Sequence, residues 1–260
     1  MRIKLALSPF GGHTDLPISY GYFLTSLIYR FIHISSQDYS RFLHDEGYRL
    51  EGSRKGFKLF TYSMLHCERV KVKGDRISFG KSPVTWQIAS PVDAFLQHLV
   101  TGVFAEGNEI KVGPALPAGQ EVRFHIERVE TLPRPEFRES MRFTCLSPVT
   151  ASRVSESHCH YIRPWEEGLS DAIRNNLLKK YRLVHGKDIE NADFRVDIDG
   201  DYMRRRNGKI TKNINFKGTN IIGFMAPFEV AGSPELIEIG YEAGFGEKGS
   251  MGFGMVREIV

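Results

Sequence analysis

The sequence predicts an α+β protein made of two ferredoxin-like (RRM-like) domains in tandem. Two-residue hydrophobic alternation trades with helical periodicity along the whole chain. Each half runs strand, helix and further strands in a βαββαβ-like order. Between the halves, Leu132-Pro-Arg-Pro135 breaks the pattern with two prolines. The expected domains are residues 1–133 and 138–260 of the 260-residue chain. No close internal repeat is visible, so the duplication rests on topology.

In the first half, Met1-Arg-Ile-Lys-Leu-Ala-Leu-Ser8 alternates as an opening strand over 2–8. A helix over 19–33 follows. Phe23, Leu24, Leu27, Ile28, Phe31 and Ile32 share its apolar face, and Tyr22, Ser26, Tyr29 and His33 fall opposite. Tyr29 is therefore expected at the surface. Ser35-Ser-Gln-Asp38 fits a capping pattern for a short helix over 36–46, which Gly47 ends. His44 lies in its last turn, where the negative end of the helix dipole favours an imidazolium. Strands are expected over 57–65, 68–80 and 121–130. Between the last two lies a helix over 91–105, with Ser90 before it, Pro91 in its first turn and Gly107 past its end.

The second half restarts with a strand over 139–146 and a hairpin-like segment over 149–162. The helix over 166–184 carries Glu166, Glu167 and Asp171 near its start and Lys179, Lys180 and Arg182 near its end, in keeping with its dipole. Four more strands are expected by Val260. They include Leu236-Ile-Glu-Ile239 and Met255-Val-Arg-Glu-Ile-Val260, which flank a glycine-rich stretch.

A 41% hydrophobic and 25% charged composition is ordinary for a globular protein, and no apolar run reaches membrane-spanning length. Cys67, Cys145 and Cys159 are odd in number and widely spaced, so no disulfide framework is implied and a reducing, cytoplasmic setting is favoured. The net charge of +4 does not announce nucleic acid, but its distribution is uneven. Between Asp201 and Lys217, Arg204, Arg205, Arg206, Lys209, Lys212 and Lys217 face a single acid, Asp201. A solvated basic face or a phosphate-contacting strand pair both fit such a run.

The most informative stretch is Gly244-Phe-Gly-Glu-Lys-Gly-Ser-Met-Gly-Phe-Gly254. Glycines permit positive φ and close chain approach, and successive free N–H groups can cradle a phosphate backbone. The stretch does not open a helix, as a dinucleotide fold requires, and Lys248 is followed by Gly249 where a P-loop needs Ser or Thr. A structural hairpin turn remains the alternative. Ser157-His-Cys-His160 lacks a second Cys/His pair for zinc. Asp197 and Asp199, before Gly200, read more simply as a strand-end turn than as a two-metal nuclease.

The doubled glycine–hydrophobic–glycine motif resembles the signature loop of the CRISPR-associated repeat-RNA endoribonucleases, the Cas-six family. Three further motifs look like the N-terminal part of its archaeal-type members: Leu27-Ile-Tyr29, Leu43-His44 and Lys58-Leu-Phe-Thr-Tyr-Ser63. The resemblance runs over about residues 15–65 and 235–258; elsewhere it lies in architecture. It implies a catalytic tyrosine, histidine and lysine, which map to Tyr29, His44 and Lys58, with Lys55 a rival for the lysine role. It also implies an RNA-contacting loop at Gly244, Gly246, Lys248, Gly252 and Gly254.

Such residue types suffice without metal or cofactor, because RNA brings its own 2′-hydroxyl nucleophile. One side chain takes its proton, a cation steadies the charge on phosphorus, and another side chain protonates the leaving 5′ oxygen. His44 as acid and Tyr29 as base is one assignment, and the reverse is the other. As base, Tyr29 needs nearby cations to lower its pKa. The expected partner is CRISPR repeat RNA, with CRISPR effector subunits as further partners, no membrane, and a monomer or homodimer. The rival readings are a non-catalytic repeat-RNA-binding protein and an RRM-like effector subunit.

Overall fold

The computed structural model describes residues 1–11, 14–114, 121–155 and 158–259. Ser157 and Val260, both named above, lie outside them. In the first sheet, the strand Arg2–Phe10 pairs antiparallel with Val122–Leu132 on one side and Val84–Ala89 on the other. Glu109–Val112 extends one edge, and Thr61–Tyr62 and His66–Cys67 both pair with Val84–Ala89. Helices α1 (Gly21–Ser35), α2 (Gln37–Arg41) and α3 (Asp93–Glu106) complete this half. The second sheet runs Phe194–Ile198, Phe228–Gly232, Ser140–Cys145, Val256–Glu258. Its helices are α4 (Leu169–His185), α5 (Gly200–Arg205) and α6 (Pro234–Ala243). In each sheet the first and third strands of the βαββαβ order lie side by side and the fourth flanks the first. The chain is thus two ferredoxin-like units.

The apolar stripe of α1 holds except at Phe23, which is only partly buried. Leu24, Leu27, Ile28, Phe31 and Ile32 are buried, facing a core that includes Phe95 and Leu99 of α3. Ser36 caps α2 by accepting from the Tyr39 N–H at 3.2 Å. Beyond α2 the expected helix continues as a π-helical turn, Phe42–Glu46, closed by Gly47 at φ +66°.

Several expected strands differ. The stretch 57–65 is broken: Phe57 pairs with Tyr48 in a separate two-residue ladder, Leu59 adopts φ +53°, and Thr61–Tyr62 joins the first sheet. The stretch 68–80 holds a small hairpin, Lys71–Lys73 against Arg76–Ser78. The helix expected from 166 begins at Leu169, after Gly168 at φ +86°. Leu236–Ile239 is not a strand but lies in α6: Pro234 opens the helix and Leu236, Ile237, Gly240 and Ala243 are buried. That helix supplies the second crossover of the C-terminal unit. Only the later part of the basic run is a strand pair. Arg204 and Arg205 end α5, Arg206 and Lys209 follow in turns, and Lys212 lies on Thr211–Phe216, which pairs with Thr219–Phe224.

The two units are bonded to one another. Buried Arg2 donates to the carbonyls of Val256 (2.7 Å) and Tyr241 (2.8 Å), and its guanidinium lies 3.8 Å over the Tyr241 ring. Thr61 Oγ1 donates to the Phe253 carbonyl at 2.8 Å, and the Met64 N–H to that of Leu146 at 2.9 Å.

Candidate active site

Tyr29, His44 and Lys58 come from three elements and meet at one place. The π-turn presents His44 to solvent, with its side chain 74% exposed. Its Nδ1 lies 2.7 Å from Asp45 Oδ1, so with the Nδ1 proton directed to that carboxylate the Nε2 edge is left for other partners. Lys58 Nζ donates to the His44 carbonyl at 2.9 Å. The Tyr29 ring meets the His44 ring edge-on, with centroids 5.9 Å apart, and meets Phe60 at 6.2 Å.

Tyr29 therefore departs from its expected surface position. The helix wheel places it on the polar face, but the π-turn and Phe60 cover it, so it is half-buried. That burial pushes its phenol up to about 12. Lys58 is lowered from its ordinary value, first by partial burial and then by Arg49, against the pull of Asp45. Arg49 in turn donates to the carbonyls of Asp45 (3.3 Å) and Glu46 (3.2 Å), bracing the turn. Lys55 is exposed, with Nζ 5.7 Å over the Phe57 ring. Of the two rival lysines, Lys58 is the one bonded to the His44 turn.

A cleft of about 150 Å³ opens beside Lys58, between Lys55–Phe60 of the first unit and α4 and the glycine-rich stretch of the second. Within that stretch Gly244, Gly246 and Gly254 are buried, and 248–252 reach the surface. Gly252, at φ +83°, packs so closely that a Cβ there would lie 2.6 Å from the Tyr62 ring. The motif thus seats the loop on the first unit and lifts Lys248 to the cleft rim. Thr25 Oγ1 donates to the Ser250 carbonyl at 3.1 Å from the other side.

The remaining basic residues are spread out. Lys217 lies 4.2 Å over the Tyr22 ring of α1, at the turn of the hairpin Thr211–Phe224. Arg204, Arg205, Arg206 and Lys209 lie at its opposite end, about 20 Å away at roughly 3.3 Å per strand residue. Arg204 is paired with Asp201. His160 pairs with Glu166 at 2.7 Å, and Asp199 caps α5 by accepting from the Tyr202 N–H at 2.8 Å.

Sequence reasoning gives Lys180 only a helix-dipole role and misses its burial, and it misses Asn176. Lys180 is 4% exposed and donates to the carbonyls of Ala243 (3.1 Å), Gly244 (2.6 Å) and Gly246 (2.8 Å), tying α4 to the start of the loop. Burial pulls its ammonium down to about 7, opposed by Glu247. The available signal was periodicity. Asn176 and Lys180 share a face with Leu169, Ile173 and Leu177, the buried stripe of α4.

Comparison with known proteins matches residues 15–129 to the family described as CRISPR-associated protein Cas6, N-terminal, and residues 132–258 to CRISPR associated protein Cas6, C-terminal. The chain is 28% identical over 263 residues to CRISPR-associated endoribonuclease Cas6 1 of Methanocaldococcus jannaschii, covering all of this chain and 93% of that one. It is 27% identical over 243 residues to CRISPR-associated endoribonuclease Cas6 of Pyrococcus furiosus, covering 93% and 83%. A solved structure of a Cas6-related protein from Pyrococcus furiosus superimposes with a TM-score of 0.82 at 25% identity, over 100% and 98% of the two chains. The chain belongs to the Cas6 family of CRISPR-associated proteins.

Proposed function

We propose that this protein is a metal-independent endoribonuclease that cuts CRISPR repeat RNA into guide units. The observation that carries the reading is the convergence of Tyr29, His44 and Lys58 beside an inter-unit cleft. Lys58 is bonded to the His44 turn at 2.9 Å, and the Tyr29 ring lies against that of His44. Support also comes from the endoribonuclease names of relatives that match along the chain.

The free chain holds Tyr29 as a phenol. It serves as base by relay: its oxygen accepts the 2′-hydroxyl proton as its own proton passes to a non-bridging phosphoryl oxygen. The O2′–P bond forms and the P–O5′ bond breaks. His44 protonates the departing 5′ oxygen, and Lys58 steadies the charge gathering on phosphorus. The products are a 5′-hydroxyl and a 2′,3′-cyclic phosphate. Lys248 and the half-buried 248–252 tip hold the RNA backbone at the cleft, and Arg204–Arg206, Lys209 and Lys212 add longer-range attraction. The protein works as a monomer or homodimer, with CRISPR effector subunits as further partners.

Incubation of end-labelled repeat RNA with the purified protein in EDTA tests this. One discrete product with a cyclic-phosphate end is expected. Loss of cutting in EDTA overturns the metal-free mechanism. Tight binding without any cut favours a repeat-binding protein instead.

A further inference from the structure

The cleft beside Lys58 continues into two further hollows that share its walls. One, of about 360 Å³, is lined by Lys55, Arg153, Asn175, Lys179 and Glu247. The other, of about 410 Å³, is lined by residues 50–53, Lys55, Phe57, Lys179 and Arg182. Lys55 and Lys179 line both, one from each unit. Both are exposed, and neither forms an ion pair with a described residue, whereas Arg153 is taken up by Glu166 at 3.8 Å and by the Glu167 carbonyl at 3.0 Å. Arg182 lies 3.6 Å from Asp188, an exposed pair that water and salt screen heavily. Asn175, Lys179 and Arg182 are spaced by four and three residues. They share the face of α4 turned away from its buried stripe, along about 10 Å of helix. Two acids stand among these cations. Glu51 lines the larger hollow, and Glu247 lines the smaller one, where it already accepts from Ser152 at 2.9 Å. Cations gathered in excess of their counter-charges repel one another, and a polyanion relieves that repulsion.

We propose that Lys55, Lys179 and Arg182 grip the backbone of the single-stranded RNA on one side of the cut, where it leaves the catalytic cleft along α4. This rests on the repeat-RNA reading above. The chemistry is that of phosphate rather than of bases. The two ammonium groups are point charges that meet a phosphate from any direction, and the guanidinium adds a fork that matches phosphate oxygens. Such contacts hold the strand in place and read no sequence. Each hollow has the volume of a pocket for one small ligand, so it admits a nucleotide-sized group of a separated strand and has no room for a paired duplex. Glu51 and Glu247 repel phosphate, which keeps the backbone on the line from Lys55 through Lys179 to Arg182. The grip touches no reacting atom and acts on affinity.

The test compares the wild type with Lys179→Gln/Arg182→Gln and with Lys71→Gln/Lys73→Gln, which removes the same charge from a hairpin lining none of the three hollows. All four positions are exposed, and glutamine keeps a long stem and good helix propensity. Affinity for labelled repeat RNA is measured over a salt series, with the full repeat and with repeats trimmed from either end back to the nucleotides at the cut. The slope of log affinity against log salt should fall in magnitude by about 1.4 in the α4 variant, two phosphates at about 0.7 each, and stay at the wild-type value in the hairpin variant. Trimming one end should erase the difference between the wild type and the α4 variant, and trimming the other should leave it. Lys179→Arg/Arg182→Lys, which keeps both charges, should keep the slope. Equal slopes for the wild type and the α4 variant overturn the grip. So does an equal loss in the hairpin variant, which makes the effect one of net charge, and a loss in the charge-keeping variant, which makes it one of packing. A difference that survives trimming of both ends places these cations at the cut and overturns the flank assignment. In each of these cases the wild type still binds, so the repeat-RNA reading stands. A wild type that binds no repeat RNA overturns both.

Discussion

Gly252 and Gly218 share a backbone angle and differ in what surrounds them, so a pair of alanine substitutions separates two roles for glycine. Both stand at φ +83°. At Gly218, in the turn of the hairpin, an added Cβ would meet nothing within 4 Å. At Gly252 it would lie 2.6 Å from Cε2 and 2.8 Å from Cζ of Tyr62. That ring cannot yield: it is 1% exposed, and its hydroxyl donates to the Gly21 carbonyl at 2.8 Å. Each substitution meets the left-handed strain of about 1–2 kcal/mol. Only Gly252→Ala adds an overpacking penalty of roughly 1–3 kcal/mol. For a chain of this size a kcal/mol shifts the melting point by about 2–4 °C, so Gly252→Ala should melt roughly 2–12 °C below Gly218→Ala. Thermal unfolding followed by circular dichroism reads the difference directly. Equal melting points would falsify the claim that the glycine motif serves to seat the loop against the first unit.

The other predictions concern chemistry and charge. His44→Ala should lower single-turnover cleavage by about two to four orders of magnitude with RNA affinity nearly unchanged, and undiminished cleavage removes His44 from the mechanism. Lys58→Ala should lower cleavage by about 10²–10³-fold, while Lys55→Ala should chiefly weaken binding; the reverse result makes Lys55 the catalytic lysine. Lys180 gives a pH signature. With the folded value near 7 and an ordinary value of 10.5, the unfolded chain holds that proton more tightly within this window, so stability should rise with pH across it. Lys180→Met should lack that rise in urea-unfolding curves, and parallel curves for the two proteins would show that the ammonium is no burden to the fold.

Much of this molecule can be read from its residues, and the exceptions have physical causes. The α1 stripe, the Ser36 cap and Gly47 are local signals, and each sits where propensity places it. The strand over 57–65 is interrupted at Leu59, whose positive φ a leucine does not advertise. Leu236–Ile239 alternates over too few residues to distinguish a strand from the first turn of α6, and Pro234 was the better guide. Tyr29 was located but its burial was not, since a helix wheel contains no neighbouring π-turn. Asn176 and the burial of Lys180 are not legible because a polar residue on an apolar stripe becomes meaningful only when its partners, or their absence, are known.

The cleft has one wall from each unit, and this divides labour in a way that bears on how such enzymes diversify. On the function proposed above, proton transfer is housed in the first unit, whereas the loop that follows α6 does the grasping. A lineage confronted with a new repeat can therefore retool the grasping half while the reactive half stays as it is.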